Sequence, residues 1–119
     1  MGYYTYFNLS VENEDKFSEE ELIKASRTLA EITDIVEPSY IKDDCLDPFY
    51  WISEDSMKWY DFETDMTKLG ELFPEMIFVL YGEGEERDDT WRLFVKGKEV
   101  EFQTAHIYYD PRPDWSYSE

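Results

Sequence analysis

The stretch 78–91, FVLYGEGEERDDTW, sets Glu83, Glu85, Glu86, Asp88 and Asp89 within seven residues, just after an apolar run and around Gly82 and Gly84. Carboxylates suit hard cations such as calcium. However, the D-x-[DN]-x-[DN]-G order with its closing Glu is missing, and Arg87 interrupts the run. Gly82-x-Gly84 follows a strand-like segment as a phosphate-gripping loop does. Arg87 holds the third glycine position, though, a strand rather than a helix follows, and the carboxylates would repel phosphate. Two readings carry more weight. In one, the stretch is a solvated turn between antiparallel strands, its glycines easing the bend and its charges keeping the sheet edge from pairing. In the other it is a recognition surface, with acidic side chains on a rigid loop entering a basic groove of another protein.

Other chemistry-bearing residues are sparse. His106 is the sole histidine and Cys45 the sole cysteine. His106 falls in an alternating strand beside Thr104 and Tyr108, where a structural role is expected. Cys45 lies among Asp43, Asp44 and Asp47, neighbours that disfavour a thiolate. No nucleophile elbow, HExxH, CxxC or GxxxxGK[ST] motif occurs. Two of the 29 acidic residues could sit at glycosidase spacing, but among so many carboxylates that has no specificity. No catalytic, metal-binding or cofactor-binding residue is therefore assigned, and no cofactor is expected. A small carboxylate or metal-dependent enzyme stays as an alternative.

The chain has 119 residues with 11 basic against 29 acidic, a net charge of −18. Residues 1–36 carry −5, residues 37–75 carry −8 and residues 76–119 carry −5. Charge spread in this way repels nucleic acid and anionic lipid and attracts basic protein surfaces. Aromatic residues make up 18% of the chain, enough apolar area to argue for a packed core rather than disorder. One cysteine builds no disulfide framework, which fits a reducing cytoplasm. The N-terminal MGYYTYF has no basic region followed by an apolar stretch, so no secretory signal is expected. No apolar run reaches the roughly 20 residues of a membrane span.

These residues need elements to hold them. Residues 3–11 alternate as a strand, with Phe7, Leu9 and Val11 on one face and Tyr4, Tyr6 and Asn8 on the other. Residues 17–36 read as a helix opened by a Ser18/Glu21 capping box and stopped by Pro38. Its apolar face is Leu22, Ala25, Leu29, Ile32 and Val36, and Phe17 with Leu22 forms a staple. Residues 37–58 are an acidic loop in which Phe49–Ile52 is a short strand or an aromatic plug. Residues 60–73 give a second helix along Phe62, Met66, Leu69 and Phe73, despite about 1 kcal/mol of helix propensity lost at Gly70. A meander follows. Residues 76–81 are apolar on both faces, as in a strand covered on both sides. Residues 91–96 alternate, Lys96-Gly97 turns tightly, and 99–109 form a long strand. Trp51, Trp59 and Trp91 are core candidates, whereas Trp115 belongs to the tail. The sum is a two-layer α+β domain over 1–110: a mostly antiparallel sheet of four to five strands with two helices on one face, and a loose tail at 111–119.

Two segments also carry a resemblance. The pattern W-Y-D-x-E-x-D-M at Trp59–Met66, then Phe73-Pro74, F-x-L-x-G-E-G-E-E-x-x-D-x-W at Phe78–Trp91, Gly97-Lys98 and A-x-I at 105–107 resembles small uncharacterised proteins of bacteriophages and prophages. Residues 37–58 lie outside it. The resemblance brings no activity. It implies a phage-type protein in the cytoplasm of a bacterial host. Phages direct small acidic proteins against restriction and CRISPR effectors, whose basic channels hold nucleic acid. The expectation is thus a non-enzymatic inhibitor that binds the basic surface of a host nucleic-acid-handling protein by mimicry, contacting neither nucleic acid nor membrane itself. Its expected contacts are Glu83, Glu85, Glu86, Asp88 and Asp89, then Asp43, Asp44 and Asp47, with Tyr4 and Tyr6 as aromatic anchors. The alternative is an assembly module whose aromatic strand face pairs with itself, as a homodimer, or with a virion protein.

Overall fold

The computed structural model describes residues 4–86 and 89–115. Asp88 among the expected contacts, its neighbour Arg87, and the end of the tail lie outside the described residues. Strand β1 (Tyr6–Val11) is followed by helix α1 (Glu19–Thr33), a short helix α2 (Tyr50–Ser53), helix α3 (Phe62–Leu72), and strands β2 (Phe78–Glu83), β3 (Thr90–Lys96) and β4 (Glu99–Thr104). The strands form one antiparallel sheet in the order β1-β2-β3-β4. The α+β class holds, with the strand number at four.

Alternation in the strands decides which face is covered. Phe7, Leu9 and Val11 of β1, Phe78 and Leu80 of β2, and Trp91, Leu93 and Val95 of β3 are buried. They meet Ile23, Ala25, Leu29 and Ala30 of α1 and Met66 and Leu69 of α3. The opposite sheet face is open: Tyr6, Tyr81 and Arg92 are exposed and Val79 and Phe94 half-buried. That corrects the expectation that the 76–81 strand is covered on both sides. Its Val79 and Tyr81 find cross-strand neighbours, Phe94 and Arg92, in place of a second helical layer.

Helix α1 starts as its sequence signals. Ser18 Oγ accepts the Glu21 N–H (3.2 Å) and Glu21 Oε1 accepts the Ser18 N–H (2.9 Å). It ends earlier than expected. Asp34, at φ 57°, takes the left-handed conformation and donates its N–H to Ala30 C=O at 2.9 Å. Such a cap satisfies an orphan carbonyl and closes the helix before Pro38 can. Pro38 instead opens a 3-10 turn, Pro38–Tyr40.

The 49–52 plug is helical rather than a strand. Phe49, Trp51 and Ile52 are buried, and α2 packs on β1. Ser26, buried on α1, donates its hydroxyl to Pro48 C=O (2.6 Å) and accepts the Trp51 Nε1–H (2.8 Å), fastening this segment to the helix.

The last strand is also shorter than its alternation suggests. β4 ends at Thr104, opposite Trp91, and residues 105–115 adopt neither helix nor strand and are exposed. Ala105 still donates its N–H to Thr90 C=O (2.9 Å), but Thr90 is the first residue of β3, so no described strand residue continues the ladder beyond it. His106 therefore stands exposed beyond the sheet instead of packing within it.

A candidate acidic recognition corner

β1 and β2 bring together residues that are distant in the chain. Their register sets Tyr6 opposite Glu83, both on the open face. One step further, the Tyr4 N–H donates to Glu85 Oε2 at 2.7 Å across 81 positions of sequence. The Lys58 ammonium sits 4.9 Å from the centre of the Tyr4 ring, a cation–π arrangement that holds the ring in place. The loop closes on itself: Gly84 N–H donates to Asp89 C=O (2.8 Å) and Asp89 N–H to Glu86 C=O (3.1 Å). Glu83, Glu85 and Glu86 are exposed and Asp89 is half-buried, while Tyr4 and Tyr6 keep 46% and 39% of their surface. Expected acidic contacts and expected aromatic anchors thus form one corner. Glu85 has a structural duty there, since its carboxylate ties the N-terminal segment down.

The second acidic group is elsewhere. Asp47 lines a groove of about 350 Å3 with Ser10 and Val11, toward the other end of β1. Asp43 pairs with the Arg27 guanidinium at 2.9 Å, which also donates twice to Ile41 C=O (3.0 and 2.6 Å). Asp47 Oδ1 accepts the Phe49 N–H at 3.1 Å. These two carboxylates therefore shape the 41–50 segment, while Asp44 is simply exposed. Between them, Leu46 is fully exposed at the loop tip. Cys45 is half-buried.

Two features escape a reading of the sequence. One is an open groove of about 790 Å3 on the last two strands, lined by Trp91, Arg92, Phe102, Gln103 and His106 among others. The length of the 99–109 alternation, greater than that of the strand before it, was the available signal that residues there project beyond the sheet. The other is the Tyr40 hydroxyl, which donates to Glu54 Oε1 at 3.1 Å. This hydrogen bond, and then the Glu54 charge, raise the Tyr40 pKa above its ordinary 10.0.

Among the described residues no carboxylate is buried. Asp65, which accepts the Trp59 Nε1–H at 2.8 Å, and Asp89 are half-buried, and the others are exposed. No group of three or more His, Cys, Asp or Glu among the described residues is arranged to hold a metal ion. No helix among them is long and apolar enough to cross a membrane. Comparison with protein-family models, with curated proteins and with solved structures finds no match to this chain.

Proposed function

We propose that the chain is a non-enzymatic, phage-type acidic protein that binds and inhibits a basic, nucleic-acid-handling protein of a bacterial host, acting in the host cytoplasm. The observation that carries this reading is the corner at the start of β1. There Glu83, Glu85 and Glu86 stand exposed beside Tyr4 and Tyr6 on a chain of net charge −18. Duplex DNA presents one negative charge per about 1.7 Å of axis. Carboxylates on a hydrogen-bonded loop compete for the same basic channel, and long-range attraction speeds the encounter. The tyrosines, with low entropy to lose, supply selectivity. Anti-CRISPR or anti-restriction action is the form suggested by the phage-type motifs.

The test is a pull-down from nuclease-treated bacterial lysate with a salt-gradient elution, comparing the natural chain with Glu83→Gln/Glu86→Gln. Glu85 is left intact because it anchors Tyr4. A basic nucleic-acid enzyme eluting at moderate salt, and earlier from the variant, is expected. Equal retention of that partner by both proteins would reduce the loop to a solvated turn. A second reading, an assembly module, is favoured by the exposed Val100 and Phe102 on the outermost strand. It calls for self-association or virion partners that persist at high salt.

A further inference from the structure

The two edges of the sheet are unlike. On the β1 side, Thr5 and Met57 exchange backbone hydrogen bonds of 2.9 Å in an isolated bridge, α2 packs on the strand, and residues 45–49 face Asn8–Val11 across a shared groove. On the β4 side no further strand among the described residues pairs with the sheet. The Ala105 N–H donates to Thr90 C=O at 2.9 Å, which sets the ladder's parity. Glu99, Glu101 and Gln103 turn their backbone groups to β3. Val100, Phe102 and Thr104 turn theirs outward, because residues facing one another in antiparallel strands alternate between bonded and non-bonded pairs.

The side chains of this edge are sorted as well. Glu99, Glu101 and Gln103 share the open sheet face. Val100 and Phe102 share the helix side, 38% and 46% exposed. Phe102 is held in place by stacking on Trp91, ring centres 5.3 Å apart. Hollows flank the strand, one of about 200 Å3 beside Val100 and one of about 790 Å3 beside Phe102.

We propose that β4 is a docking edge for an extended segment of a basic partner, which joins the sheet as a fifth strand. Lysine or arginine side chains of that segment lie beside Glu99 and Glu101, and its alternate, apolar side chains lie beside Val100 and Phe102. Backbone groups supply affinity and the alternation supplies selectivity. The proposal rests on the reading of the chain as a binder of basic proteins and gives that reading a mode of recognition. Charge chooses the occupant. A second copy would bring its own Glu99 and Glu101, on a chain of −18, against the first pair. A basic strand neutralises them. Acidic residues on an edge thus keep copies apart while leaving the edge open to an opposite charge.

The probe is a capped synthetic peptide of alternating lysine and valine, tested by calorimetry and amide hydrogen exchange against the full chain. Its counterpart is the same peptide N-methylated along its backbone, which keeps charge and side chains but removes the donors. The peptide is expected to protect the amides of Val100, Phe102 and Thr104. Val100→Pro, which removes an outward N–H and no ladder bond, is expected to weaken binding roughly tenfold, and N-methylation by at least as much. Equal affinity for the two peptides overturns the proposal, and this holds even if the proline variant fails to fold. Chemical-shift changes confined to residues 83–89 leave the acidic-binder reading standing and overturn strand addition. No binding even at low salt removes both. Protection of the three amides that grows with protein concentration, without peptide, overturns the proposal in favour of a second copy as occupant.

Discussion

Ser26 is completely buried on α1, yet it is polar. Its hydroxyl relays one hydrogen bond from Trp51 Nε1–H and passes another to Pro48 C=O. Alanine in its place leaves both partners without a bond in a largely dry setting. Ser26→Ala is therefore expected to lower unfolding free energy by about 2–3 kcal/mol, read from urea denaturation. A loss under about 0.5 kcal/mol would show that the relay does not hold the 48–53 segment. Little of this was legible in the sequence. Pattern reading marks Trp51 as a core residue but is silent on which buried group accepts its N–H, since the partner lies 25 positions away. Tyr4 and Glu85, 81 positions apart, escape for the same reason. Each was named as a contact, and only strand pairing shows that they share a corner.

The packing of α3 on β3 reverses an expectation drawn from helix propensity. Gly70 costs about 1 kcal/mol relative to alanine in an isolated helix. Here a Cβ at that position would lie 2.5 Å from Val95 Cγ1 and 2.7 Å from Gly97 O. Neither neighbour is the yielding end of a long side chain, so the helix or the β3–β4 turn must move. Gly70→Ala is expected to destabilise by about 1–2 kcal/mol net of the helix gain, measured as a lower urea midpoint; a higher midpoint would mean that the contact relaxes freely. Helix existence, the Ser18/Glu21 cap and the inward alternation of β1 and β3 were legible because they depend on local periodicity. The end of α1, the helical turn at Tyr50–Ser53 and the end of β4 were not. Each is decided by a partner: the left-handed Asp34 and its bond to Ala30, the Ser26 relay, and the start of β3 at Thr90, beyond which no described strand residue carries the ladder on.

Across the whole molecule, charge works against compactness. Of the described carboxylates none is buried, and the total stands at −18. Like charges on a closed surface repel through solvent until salt screens them. Raising sodium chloride from about 0.02 M to about 0.5 M shortens the screening length from about 20 Å to about 4 Å. The melting temperature is expected to rise by about 5 °C, on the order of 1 kcal/mol. A constant or falling value would mean that specific ion pairs such as Arg27–Asp43 outweigh the general repulsion. This global term was fully legible, since counting suffices for it. Its arrangement was not. Carboxylates gather at the Tyr4 corner, in the 41–50 segment and on the β4 edge, and others stand on the exposed faces of α1 and α3, a distribution that comes from the path of the chain.

The ring of Trp91 lies between Phe62, 4.5 Å away, and Phe102, 5.3 Å away, and passes so close to the Gly82 backbone that a Cβ there would be 2.1 Å from the indole. One side of this sandwich belongs to a core helix and the other to the outermost strand. The molecule therefore carries its own optical sensor. A segment settling on Phe102 alters the polarity around an indole that is otherwise shielded, and the part of the emission that Trp91→Phe removes, over the constant light of buried Trp51 and Trp59, tracks occupancy of the edge without any label. Trp115, out in the tail, gives a water-exposed emission against which that shift is read.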